Sequence, residues 1–343
     1  NIYNNRALAG SSGGGTLAGE VRMENCRIYD NTASMNGGGL TINGNDRTDP
    51  IRSDRVELVN NIIEGNSAGG HGGGLNILST GPVSTTGGQI RGNSANSGGR
   101  NIFVTGTTSQ VCLAMSGTPR TTVDGGTERS DGTSAIECLA SFVSVERAQG
   151  ATSNTITVSP GAGTLAEAVG KAQDGDTLIL QDGTYTSAGD RRRVLENLGK
   201  RLTIRARNSR KAILDGQDRD RVAMLSGTVT IEGLVLTKGF VPDGWVVGGA
   251  GLSIRQGSVA TVTDCEITLN SAQNGGGVDM PEEAEATFDR CDIHDNVART
   301  VSAGIGMQRR NKATFTNCNI YNNRALAGSG GGGALAGEGR MEN

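Results

Sequence analysis

Two histidines, His71 and His294, and six cysteines stand among 343 residues, and their spacing suits no metal site. No CxxC pair occurs and neither histidine lies beside a cysteine, so zinc ligation is not expected. The densest acidic loop, "DGQDRDR" at 215–221, reads as a solvated turn rather than a calcium site. His71 lies within the glycine run "GGHGGG" (69–74), and reads as an exposed corner residue. Acid–base cleavage of a sugar chain needs paired carboxylates, and the sequence shows none converging on one face. No cofactor is implied. The expectation is a protein that is not an enzyme.

The elements that would position any site come from two repeats, one nested in the other. Residues 1–25 recur at 319–343 with 22 of 25 identities; Ser12/Gly330, Thr16/Ala334 and Val21/Gly339 differ. The offset is 318 residues. Within it lies a shorter period: "ATVTDCEITLNSAQNGGGVDM" from Ala260, "ATFDRCDIHDNVARTVSAGIGM" from Ala286, "ATFTNCNIYNNRALAGSGGGGAL" from Ala313 and "RMENCRIYDNTASMNGGGLTI" from Arg22. Cys265, Cys291, Cys318 and Cys26 mark steps of 26 or 27 residues. Such self-similarity is the signature of a solenoid.

Each copy holds three short extended runs. Alternation places Ala286 and Phe288 on one face, and Cys291 and Ile293 on one face. The odd step from Phe288 to Cys291 requires a corner at Asp289-Arg290. The glycines mark another corner. Three strands and three corners per period describe one coil of a three-sided parallel β-helix. The four cysteines are expected to stack in the core as free thiols. An asparagine falls five residues after each cysteine position: Asn5, Asn31, Asn66, Asn93, Asn270, Asn296 and Asn323. Asparagine tolerates left-handed backbone, and stacked amides can bond in a ladder.

The pattern C-x-I-x-x-N-x-A-x-x-x-G-G-G resembles the repeats of right-handed parallel β-helix proteins of the pectate-lyase-like superfamily. It is especially similar to bacterial cell-surface proteins with polymorphic-outer-membrane-protein-like repeats. The resemblance implies an all-β right-handed solenoid with a short N-terminal capping helix, in a superfamily of both enzymes and adhesins. Its lyases need an acidic calcium cluster and a basic proton acceptor. "GHG" at 70–72 matches a fragment of a polygalacturonase-like site, without that family's companion carboxylate and Arg-Lys motifs.

A helix start is legible at 164–173, where Leu165, Ala168, Val169 and Ala172 recur at helical spacing. Thr164 and Glu167 suit a capping box. The other end of the solenoid falls in 106–147, with Cys112 and Cys138. A bridge between them would close about 25 residues and contribute about 3 kcal/mol. The chain is therefore expected to hold the C-terminal half of one β-helix (1–147), a short junction (148–154) and the N-terminal half of the next (155–343). The whole rod would have about ten coils and a length of about 50 Å. The coil from Cys26 to Asn61 is longer than its neighbours, and Asp49, Arg52 and Asp54 in it are the expected contact loop.

Composition narrows the partners. Glycine is 55 of 343 with only 6 prolines, which excludes collagen and argues against a disordered linker. Net charge is −3 and "DRRR" (190–193) is the densest basic run, so no nucleic-acid partner is expected. No apolar run approaches the length of a membrane span. The expected role is structural: one repeat of a tandem β-helix extracellular protein, a bacterial surface fibre, stalk or adhesin, whose partners are other copies of itself or surface polysaccharide. The alternative is a β-helix that binds or degrades polysaccharide as a lyase or hydrolase.

Overall fold

The computed structural model describes residues 1–18, 20–43, 55–78, 83–97, 99–104, 111–113, 122–123, 127–129, 154–188, 193–242, 248–281, 283–328 and 330–342. It is an all-β parallel solenoid with one short helix among those residues, Thr164–Lys171. Each coil, here a rung, presents isoleucine or leucine inward at the centre of a short strand. Ile267, Ile293, Ile320, Ile2, Ile28, Ile63 and Ile90 are buried and stack in direct register from rung to rung. Burying one such side chain contributes about 1.5–3 kcal/mol. Phe288 and Phe315 stack in the same core with ring centroids 4.8 Å apart.

Two corners per rung use left-handed backbone. Asn25, Asp264, Arg290 and Asn317 precede the cysteine, with φ of 52–53°. Asn4, Asp30, Asp295 and Asn322 precede the ladder asparagine. Most are asparagine or aspartate, the non-glycine residues that accept this region at least cost. At the third corner the rungs approach too closely for side chains. A Cβ on Gly14 would lie 2.4 Å from the Gly39 carbonyl oxygen, and one on Gly39 would lie 2.5 Å from that of Gly74.

The walls run the length of the rod. One sheet of twelve strands carries the Cys-x-Ile segments. A sheet of seven two- to five-residue strands follows the ladder asparagines. The remaining strands form the third wall. Rung order is not chain order. In the twelve-stranded sheet the stack runs from Gly161–Ala162 through Asn319–Tyr321, then to Ile2–Tyr3, and onward to Thr122–Val123. The duplicated segments are therefore adjacent rungs: Ile2 pairs with Ile320, Arg6 with Arg324, and Leu17 with Leu335. Twelve strands exceed the ten coils expected because both copies of the duplicated rung join one stack and Gly161–Ala162 adds a strand at the start.

The helix closes the start of the stack, with Leu165 and Val169 buried in the common core. The capping box does not form. Gly163 occupies the N-cap in left-handed conformation, and the Thr164 hydroxyl donates instead to the Gly161 carbonyl at 3.3 Å. Glu167 pairs with Lys171 at 2.6 Å. The C-terminal carbonyls are met by Lys200, whose ammonium donates to Val169, Gly170 and Ala172. Among the described residues no helix is long and apolar enough to cross a membrane.

Candidate active site on the twelve-stranded sheet

In a strand whose central isoleucine faces the core, the residues on either side face out. On the Cys-x-Ile strands these are the first and third positions after the cysteine. Parallel register then builds two outward columns. Glu266 lies beside Asp292 and Asp292 beside Asn319; Thr268 lies beside His294, His294 beside Tyr321, and Tyr321 beside Tyr3, with Tyr29 next. The sequence separates these residues by 26 or more positions, but the stack brings them to adjacent rungs.

His294 sits at the centre. Its Nε2 is 3.2 Å from Glu266 Oε1, and its Nδ1 is 2.7 Å from Asp295 Oδ2 and 3.3 Å from the Thr268 hydroxyl. Its ring stacks on Tyr321 at 4.6 Å, Tyr321 on Tyr3 at 5.0 Å, and Tyr3 on Tyr29 at 4.8 Å. The Arg27 guanidinium covers Tyr29 at 4.5 Å and pairs with Glu64, as does Arg91. The Arg27 hydrogen bond holds the Glu64 carboxyl below its ordinary range, against a smaller opposing effect of burial. Burial, and then neighbouring negative charge, raise the Tyr3 and Tyr321 phenols.

Beside the histidine, Arg210 reaches across two rungs. It pairs with Asp292 at 2.5 Å and Asp264 at 3.4 Å, and donates to the Arg290 carbonyl. Burial acts to lower its pKa, but the Asp292 hydrogen bond and the surrounding carboxylates outweigh burial and raise it. Asn319 donates to the second Asp292 oxygen at 2.9 Å. A histidine whose side chain is 14% exposed, held between two carboxylates at the end of a column of stacked rings that turn their edges outward, can move a proton on a ligand lying along the column.

The acids do not suit a calcium cluster. Asp264 and Asp292 are engaged by Arg210, Glu266 and Asp295 by His294, and no group of three or more acids, histidines or cysteines among the described residues is placed to hold a metal.

Other residues singled out in the sequence lie elsewhere. Asn270, Asn296, Asn323, Asn5, Asn31, Asn66 and Asn93 are buried, and each Nδ2 donates to the next amide oxygen at 2.9–3.4 Å, ending on Asn101 at 2.7 Å. Cys265, Cys291 and Cys318 are free thiols, and they and Cys26 are buried. Cys112 falls in the strand Val111–Leu113, while Cys138, and with it the suspected bridge, lies outside the described residues. So do Asp49, Arg52 and Asp54. His71 stacks on Phe103 at 4.2 Å, away from His294. In the loop 215–221, Asp220 is buried against Ser187 and Arg219, and Asp215 faces Lys238.

The sequence reading missed the carboxylates and His294. The signal was available: aligning the copies on cysteine puts Glu266, Asp292, Asn319 and Arg27 in one column and Thr268, His294, Tyr321 and Tyr29 in the next.

Fold and face together define a right-handed parallel β-helix of the pectate-lyase-like superfamily. The family model described as "Pel9A-like, right handed beta helix region" matches residues 143–338, and the chain belongs to that family. Among solved structures, the "Structure of PL6 family alginate lyase AlyGC" is similar over 97% of this chain and 72% of that one, at 10% identity and a TM-score of 0.30. A likeness that loose carries no residue across. No curated protein sequence matches. Family membership overturns the expectation that the chain is not an enzyme. The physical reason for the error is that convergence of the acids depends on stacking, not on sequence proximity. The fibre, stalk or adhesin reading gains no support, and the likeness to polymorphic-outer-membrane-protein-like repeats finds no counterpart in these matches.

Proposed function

We propose that the protein is a polysaccharide lyase that cleaves an acidic polysaccharide by β-elimination along the outward face of the twelve-stranded sheet. Membership of a Pel9A-like β-helix family is the observation that carries this reading, and the clamped His294 is what locates it. Sugar rings lie along the outward edges of the stacked Tyr321, Tyr3 and Tyr29, one rung per roughly 4.8 Å. Arg324, exposed just past the corner at Asn322 on the adjoining seven-stranded wall and without an ion pair among the described residues, reaches back to meet the uronate carboxylate. As the substrate displaces Glu266 from Nε2, that nitrogen of His294 takes the proton from the carbon beside that carboxylate, while Nδ1 stays on Asp295. The electron pair forms the new carbon–carbon double bond as the bond to the glycosidic oxygen breaks, and the leaving oxygen gains a proton from solvent. Glu266 and Asp295 hold the imidazole and stabilise its cation. The same proposal puts the chain outside the cell or on its surface, where such polymers lie.

The test is incubation of the protein with polygalacturonate and with alginate. Ultraviolet absorbance from the conjugated product should rise, and His294→Ala should remove at least about 100-fold of the rate. New reducing ends without that absorbance would mean hydrolysis and overturn the elimination. No turnover of any uronate polymer would end the proposal.

A further inference from the structure

Long bonds gather at one step of the rod, where rung 319–343 meets rung 1–25, while other steps show them singly, as from Asp30 N to Glu64 O at 3.4 Å. Along the asparagine ladder the bond from Asn323 Nδ2 to Asn5 Oδ1 is 3.4 Å, against 2.9 Å from Asn5 to Asn31 and 3.0 Å from Asn296 to Asn323. The backbone bond from Arg6 N to Asn323 O is 3.4 Å, whereas Thr32 N to Asn5 O is 3.0 Å and Arg324 N to Asn296 O is 2.9 Å. Leu8 N to Ala325 O reaches 3.5 Å, and Gly330 N to Ser11 O 3.4 Å. Bonds beyond about 3.2 Å lie outside the usual range. On the twelve-stranded sheet the step closes normally, with Ile320 N to Asn1 O at 2.8 Å.

A second, independent sign lies in the core at the same step. A small apolar gap of about 10 Å³, room for about one water, is lined there by Ile2, Leu17, Leu40, Ile305, Ile320 and Met341, among others. The third sign is the sequence. The rungs on the two sides of the step carry the same residues at 22 of 25 positions and pair like with like. Each offers the other the edge it offers its second neighbour: Ile28 sits on Ile2 as Ile2 sits on Ile320. Nothing in the hydrogen-bonding edge distinguishes this chain's rung 1–25 from that of another copy.

We propose that this step is an exchangeable joint, at which the 1–129 half of a second copy docks on the 155–343 half of the first in the same register. The occupant is a second copy because its own Ile2, Arg6 and Leu17 offer Ile320, Arg324 and Leu335 the same partners in the same register as this chain's. Tyr3, Arg27 and Tyr29 of that copy would then extend the row that begins at His294; this clause alone rests on the function proposed above.

The joint is read by crosslinking, without activity. Arg6 and Arg324 are exposed register partners, and parallel neighbours about 4.8 Å apart fall within disulfide range. Mixing R6C with R324C under mild oxidation should give at least about tenfold more crosslinked dimer than either variant alone, as exchange of an identical element requires. The R6C/R324C double variant should close both within and between chains, with the dimer share rising with concentration. Closure only within the chain, and no excess dimer from the mixed pool, would overturn the proposal. So would a folded double variant that forms no crosslink. For the unaltered protein, mixing heavy-isotope and light pools should give mixed dimers by native mass spectrometry; their absence would overturn it too.

Discussion

Asn296 lies between two neighbours of its own kind: Asn270 donates both its backbone N–H and its side-chain amide to the Asn296 oxygen, and Asn296 donates to Asn323 and to the Ile267 carbonyl. Asn296→Ala would strand buried groups on both sides, at about 1–3 kcal/mol for each unsatisfied site. A clear fall in the urea midpoint is expected. Asn208→Ala, at an exposed bond to Asp182, should shift it by less than about 0.5 kcal/mol. Equal effects would show that the ladder carries no special stability.

Asp279 gives the stability a pH dependence of unusual sign. Burial raises its carboxyl from 3.8 to about 7, against the opposing pull of Arg221 and of the Gly248 amide. The folded state therefore binds this proton more tightly than the unfolded state. The contribution is complete below about pH 4 and is lost as pH rises to about 7, on the order of 4 kcal/mol. Asp279→Asn keeps an acceptor but not the titration. Its stability relative to the parent should climb between pH 4 and 7 in chemical denaturation, and a constant difference would refute the assignment.

Thiol reactivity should follow burial. Burial pushes the Cys265 thiol up to about 12, and a hydrogen bond with Cys318, followed by burial, raises that of Cys291. Thiolate, not thiol, is the reacting form. Iodoacetamide at pH 8 should leave both unlabelled in the folded protein and modify both in urea, as peptide mass spectrometry would report.

Under the proposed lyase activity, platform and proton carrier should separate kinetically. Tyr3→Ala removes a ring edge that lines the ligand's path, worth about 1 kcal/mol, so KM should rise about fivefold with kcat little changed. Glu266→Gln should instead lower kcat with KM nearly constant. The reverse pattern would mean that Tyr3 takes part in the chemistry and Glu266 in binding.

The solenoid was readable because its determinants are local and periodic. Cys291 and Ile293 set the inward face, and the odd step back to Phe288 required the turn found at Arg290. The helix terminus was misread because Thr164 and Glu167 suit a box in isolation. Their partners depend on Gly163 being left-handed and on Lys171, while Lys200 arrives from about thirty residues away. The active face was hidden for a related reason. Glu266, Asp292 and His294 look like ordinary outward polar residues, and only the register of two rungs shows that Glu266 lies beside Asp292 and meets His294.

The like-on-like pairing of Tyr3 with Tyr321 has a consequence for how such a surface changes over time. Copying one rung's worth of gene lengthens the surface by a fixed quantum and leaves every older contact intact. Under the proposed activity, a molecule built this way matches its reach to a longer polymer by counting rungs, with no need to redesign the residues around His294.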